Sequence, residues 1–230
     1  MKLSSLAMCV FLLHTPISSW AGTPTDETVV CPVGGEKFTI TGTASCSTMG
    51  RTMSFKPLTS CDFVTRLPVC PSNDLPMYQE FSEEQLSNLD GFLETSDFAQ
   101  LKLLPPWQRA YGVSQHLGQS GTATSFGLLI SSLWYETEAF LGNEVILDQF
   151  LVESEGELER ASVEDKPFLE AIIGYTLMAS GRADEAEIWL GRASETESAP
   201  EYLFQYISAI RACRSNMQSD GCRPHDRLDP

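Results

Sequence analysis

The sequence predicts a mainly α fold: a body of helical hairpins that carries a small, disulfide-stapled β-ribbon head at its N-terminal side. Three observations predict it. Before Ser82 the chain is a series of short, threonine-rich stretches punctuated by glycine and proline, and from Ser82 onward apolar residues recur at helical spacing. The second half then repeats a rhythm of helix, short break and helix, the pattern of stacked antiparallel pairs. Finally, four cysteines crowd into residues 31–70, where a unit too short to bury much apolar surface needs cross-links.

Residues 1–21 have the layout of a cleavable signal peptide. Lys2 supplies a positive charge, Leu6 to Leu13 ("LAMCVFLL") is an apolar run, Pro16 breaks it, and Ser19 and Ala21 fit the small-residue positions of a cleavage site after Ala21. The run is far shorter than the ~20 residues that span a bilayer. Cys9 follows Met8, where lipidation would want a small residue. The expected location is the periplasm or the cell exterior, without a membrane anchor.

Residues 22–80 are the expected head. Residues 22–29 are polar and expected to fray. From Val29 to Leu75 the texture is β-like: "EKFTITGTAS" alternates Phe38 and Ile40 with threonines, and "TMSFKPL" and "FVTRLPVC" are further extended runs. Gly34-Gly35, Gly42, Gly50 and Pro57 are expected at turns. Residues 81–214 are the expected α-helical, tetratricopeptide-like body. It opens on "SEEQL", a capping box in which Ser82 receives free helix amides and Gln85 reaches back. Leu86, Leu89 and Leu93 follow at helical spacing, and Pro105-Pro106 opens "WQRAYGVSQHL". Residues 123–142 read as one strongly apolar core helix, followed by "NEVILDQFLVES". "SVED" at 162–165 with Pro167 reads as another helix start. "FLEAIIGYTLMAS", "ADEAEIWLGRAS" and "EYLFQYISAIRAC" complete the body. Residues 215–230 are a C-terminal tail, expected to be loose around His225.

The stretch 167–200 resembles one tetratricopeptide unit. Small Gly174 and Ala186 fall where that motif's helices approach most closely, Gly181 falls at the turn, and Leu190 and Ala193 fall on the second helix's inner face. Leu177 departs from the motif, which usually has an aromatic there.

Cleavage leaves about 209 of the 230 residues, enough for one sizeable core or two small ones. Loss of Lys2 takes the formal charge from −16 to −17. Such a chain repels phosphate backbones and anionic lipid, which argues against nucleic-acid binding. Residues 136–201 hold seventeen Asp or Glu against four Lys or Arg, a solvated face that would also attract a basic partner.

Six cysteines remain after cleavage: Cys31, Cys46, Cys61, Cys70, Cys213 and Cys222. An even count in an exported chain points to disulfides. Cys213 and Cys222 would close a short loop and pin the tail, and the other four allow three pairings.

Zinc is the competing reading, because "CPVGG" at 31–35 and "CPSND" at 70–74 have the look of metal knuckles. Each has only its first thiol, however, and the two histidines outside the signal segment, His116 and His225, stand alone. Met49 and Met53 lie near Cys46, but no histidine joins them for copper. "GVSQH" and "GQSGT" fall short of a serine nucleophile elbow. No metalloprotease helix, phosphate loop or dinucleotide fingerprint appears. Neither a cofactor nor a metal is expected, and no catalytic residue is assigned.

With "CPVGGEKF" at 31–38, "LPVCPSNDLPMY" at 67–78 and "FSEEQL" at 81–86 together in view, the chain resembles an uncharacterised bacterial family. That family joins a zinc-ribbon-like head with two C-P-x-C-G turns to tetratricopeptide-like helices. The resemblance implies a β-ribbon head with Cys31 and Cys70 side by side at the tips of two turns, hence a Cys31–Cys70 bridge, leaving Cys46–Cys61 to tie the outer hairpin. Gly34 and Asn73 replace the second ligand of each turn, so the family's metal site does not carry over. The functional expectation is protein–protein contact with another envelope protein. The alternatives are an envelope hydrolase with carboxylates in a cleft between head and body, and a metal-binding head.

Overall fold

A computed structural model describes residues 22–196 and 199–228; the expected signal segment, residues 1–21, lies outside the described residues. About 49% of the described residues are helical, with a small antiparallel sheet region on the N-terminal side. Among the described residues are four strands and nine helices. The strands are β1 (Pro24–Val30), β2 (Lys37–Thr43), β3 (Thr48–Arg51) and β4 (Pro57–Thr59). The helices are α1 (Glu83–Phe92), α2 (Ser96–Leu101), α3 (Pro106–His116), α4 (Ala123–Tyr135), α5 (Thr137–Leu141), α6 (Glu144–Arg160), α7 (Lys166–Ala179), α8 (Ala183–Glu195) and α9 (Glu201–Ala212).

β1 pairs with β2 in antiparallel register, Thr28 opposite Thr39, and β3 pairs with β4. Most of residues 22–29, expected to fray, thus lie in strand β1: β2 offers them a full hydrogen-bonding edge, which local polarity does not reveal. Gly42 lies inside β2 rather than at a turn, and the Glu27 carboxylate crosses the space a side chain there would fill. "FVTRLPVC" forms no strand: half of it is turn or bend, with one isolated bridge, Val69 to Pro76.

Helix starts follow the sequence signals closely. The Ser82 hydroxyl accepts from the Gln85 amide while the Gln85 side chain accepts from the Ser82 amide, completing the capping box. The expected 123–142 helix is broken at Glu136, giving α4 and α5. The reason is tertiary: the Glu136 carboxylate turns back to accept from the Trp107 and Gln108 amides, capping α3, whose own N-cap Pro105 has no side-chain acceptor.

Two apolar clusters hold the chain. One gathers Cys31, Cys70 and Leu75 with Leu89, Phe92, Phe98 and Val113 of α1–α3. The larger joins α3 to α9 and takes in Met53 and Phe55 from the β3–β4 connection. Both clusters therefore draw on the strand-bearing segment and the helices alike. α7 and α8 pack as an antiparallel hairpin that turns at Gly181, whose φ is +85°. A Cβ on Gly174 would lie 2.6 Å from Leu190 Cδ2 and 3.3 Å from the Ala186 carbonyl, so the helices approach where the small residues are. Leu190, Ala193 and Leu177 are all buried.

Candidate functional site

The two cysteine turns share one pattern of backbone hydrogen bonds. The Gly35 amide donates to the Cys31 carbonyl and the Cys31 amide to the Glu36 carbonyl; the Asp74 amide donates to the Cys70 carbonyl and the Cys70 amide to the Leu75 carbonyl. The fifth residue of each turn is left-handed, Gly35 at φ +69° and Asp74 at φ +63°. A disulfide joins Cys31 to Cys70, with Cα atoms 5.5 Å apart.

Asn73, standing where a second thiol would, bridges the turns instead: its side-chain amide donates to the Val33 carbonyl and its carbonyl accepts from the Leu75 amide. Asp74 ties the pair to the helices through Lys102 at 2.9 Å and through its carbonyl, which accepts from Arg109. The knuckle shape thus persists on a covalent bond and an amide bridge. Cys46–Cys61 and Cys213–Cys222 are the other disulfides, so all six described cysteines are paired. Among the described residues, no group of three or more His, Cys, Asp or Glu is arranged to hold a metal ion.

The tail is ordered, in contrast to the loose segment expected. The Met53 and Ser54 amides donate to the Asp226 and Pro224 carbonyls, the Leu228 amide donates to the Arg51 carbonyl, and Thr52 bridges to Arg227. Cys213–Cys222 and a bond from the Tyr175 hydroxyl to the Cys222 carbonyl fix where this stretch begins. From the body side, the Tyr206 hydroxyl donates to the Met53 carbonyl at 2.6 Å and the Trp134 indole to the Ser54 carbonyl at 2.9 Å.

This grip holds Phe55 at φ +65°, a conformation a bulky side chain avoids at a cost of about 1–2 kcal/mol. It persists because the surroundings over-determine it. Phe55 is only 4% exposed, its ring 4.0 Å from that of Tyr206 and 6.1 Å from that of Phe168.

Beside Phe55 opens the candidate site, a groove of about 460 Å³ lined by Arg51, Phe55, Glu157, Ala161, Asp165, Phe168, Leu169, Ile172 and Tyr202. Phe168 and Tyr202 flank each other at 5.6 Å, and Tyr202 is 55% exposed. The Arg51 guanidinium lies 5.7 Å from the Phe55 ring centre and donates to the Phe55 carbonyl at 3.1 Å. Glu157 accepts from Arg160 at 2.7 Å, and Asp165 accepts from the Ser162 hydroxyl at 2.8 Å. The groove is a cleft between strand segment and helices with aromatic walls and two carboxylates, each already bonded within the chain.

Other polar groups have structural work. Glu153, 1% exposed, accepts from the Ser125 hydroxyl at 2.6 Å and the Gly121 amide at 2.9 Å, fastening α6 to the α3–α4 connection. Burial holds the Glu136 carboxyl above the usual range, opposed by the hydrogen bonds it accepts at α3. Burial likewise lowers the Lys56 ammonium below its usual value; its nitrogen sits 4.2 Å from the Tyr135 ring centre. His116 stacks on Phe92 at 3.6 Å, while the Ser114 hydroxyl donates to the Tyr111 carbonyl, so the two form no catalytic pair. His225 Nε2 is 3.3 Å from the Thr137 hydroxyl, which itself donates to the Leu133 carbonyl.

The sequence named none of the groove's residues as a site, although one alternative expected carboxylates in a cleft between head and body. Phe55 read as part of an extended run, and Phe168 and Tyr202 fell within expected helices, while Arg51 drew no reading of its own. No family model, no curated protein and no solved structure matches the chain.

Proposed function

We propose that this chain is a non-catalytic binding protein that holds a segment of another polypeptide in the groove beside Phe55. The observation that carries the reading is the construction of that groove: a strained aromatic turn, gripped by the tail and by Tyr206 and Trp134, presents Arg51 and Phe55 next to the exposed ring of Tyr202. Aromatic residues and arginine dominate the energetics of protein contacts. Three disulfides fit an oxidising compartment outside the cytoplasm. Residues 1–21 acting as a cleaved signal, with the bacterial envelope as the working location and an envelope protein as partner, belong to the same proposal. So does the α7–α8 hairpin as a tetratricopeptide-type unit, supported by the close approach at Gly174.

Hydrolysis is the second reading, favoured by two carboxylates in an aromatic-walled cleft. It is weaker because Glu157 and Asp165 each accept a hydrogen bond from their own chain.

The test is capture from envelope extract by the immobilised chain, beside a Phe168→Ala/Tyr202→Ala variant. The expected result is a partner retained by the parent and lost by the variant. Capture that ignores the variant overturns the groove reading, and substrate turnover abolished by Glu157→Gln or Asp165→Asn would replace it with hydrolysis.

A further inference from the structure

We infer that the groove receives the C-terminal end of its partner, with the terminal carboxylate on Arg51 and an apolar last side chain among Phe55, Phe168, Leu169, Ile172 and Tyr202. This rests on the groove being a polypeptide-binding site.

The argument starts from the charges that line it. Glu157 is neutralised by Arg160. Asp165 is bonded to Ser162 and stands at the N-terminal, amide end of α7, where a negative charge is favoured. Arg51 is different. Among the described residues it makes no ion pair, and its partners are the Phe55 carbonyl, which takes one N–H, and the Phe55 ring. The remaining N–H groups of its planar fork are suited to a carboxylate, which guanidinium binds through two parallel hydrogen bonds.

Apolar walls beside a cation with no ion pair among the described residues match a ligand that is apolar with a carboxylate at one end, and a polypeptide terminus is the polymer feature with that chemistry. The surface sharpens the choice. With a net charge of −16, the chain repels acidic segments. An acidic side chain in an acidic partner is therefore disfavoured, while one terminal carboxylate on a neutral or basic segment is not. A volume of about 460 Å³ accommodates a terminal residue and part of its predecessor, within the range of small-ligand sites.

Calorimetric titration with short, neutral synthetic peptides ending in Leu or Phe tests this, each as free acid and as C-terminal amide. The free acid is expected to bind at least about tenfold more tightly than the amide, as a charge-assisted hydrogen bond implies. Arg51→Gln should erase that difference by weakening the acid alone. Arg51→Lys should restore only part of it, since an ammonium lacks the fork. A parent-like melting temperature verifies that each variant is folded.

Equal binding of acid and amide overturns the inference while leaving the groove reading intact. Binding of 3-phenylpropionate as tight as that of the peptides overturns the inference and the polypeptide reading of the groove together, because the ligand would then be a small acid. Peptide binding unaffected by Phe168→Ala/Tyr202→Ala overturns the groove reading itself, and failure of every peptide to bind overturns the C-terminal assignment.

Discussion

At the head, residues 31–36 and 70–75 are held side by side by a disulfide and by the Asn73 amide. In the body, α7 and α8 approach through the lack of a side chain at Gly174, which lets Leu190 and the Ala186 carbonyl in. The first junction is covalent and polar, set among few helices; the second is apolar and depends on shape. The difference follows from how much core each region can assemble. Among the described residues the cluster around Cys31 and Cys70 has seven buried apolar residues, whereas the larger cluster extends through α3 to α9. A small core needs a cross-link, and a large one gains more from close packing.

Removing the cross-link should break the first junction most severely. Cys31→Ser/Cys70→Ser opens a loop of sequence separation 39, for which chain entropy gives a loss of about 4 kcal/mol, measurable by urea unfolding of the full chain. Filling the second junction should cost less. Gly174→Val overpacks a helix interface, with an expected loss of about 2 kcal/mol in the same measurement. If Gly174→Val proved the more damaging, the contrast between the regions would be reversed.

Asn73→Ala sharpens the head side. It deletes one bridge while the disulfide remains, and about 1 kcal/mol should be lost. A loss as large as that of the cysteine pair would mean that the amide, not the sulfur, sets the turn.

The smallest effect is electrostatic and lies on the body side. Burial raises the folded-state value of Glu136 above its ordinary 4.5. Its contribution to stability is therefore fully present below about pH 4.5 and is lost as pH rises through the raised folded value. Glu136→Gln should flatten that part of the stability profile, as followed by urea midpoints across pH. An unchanged slope would show that another group carries it; Glu170, also raised by burial, is the next to replace.

How much of this was legible depends on range. The capping box at Ser82 and the break at Gly181 are local signals and sit where the sequence placed them, while the close approach at Gly174 and Ala186 was expected only from a resemblance. The bridge between Cys31 and Cys70 came from a resemblance rather than from spacing, which leaves three pairings open. The strand at Pro24–Val30 and the break at Glu136 were missed because their causes are distant: a partner strand in one case, the free amides of α3 in the other. The ordered tail was missed for the same reason, since its partners at Arg51–Ser54 lie far off in sequence.

By itself, then, the sequence determined a mainly helical fold, a cysteine-rich N-terminal stretch, paired thiols and a strongly acidic composition. These follow from composition, short-range periodicity and the chemistry of single residues. Only the tertiary structure decided that the tail closes over the β3–β4 connection and that this grip holds Phe55 left-handed. It also decided that Arg51, Phe55, Phe168 and Tyr202 come together in one groove. The physical reason is that a site built from a turn and three helices, with the tail bonded behind the turn, is defined by long-range hydrogen bonds and burial, and neither leaves a periodic trace in the chain.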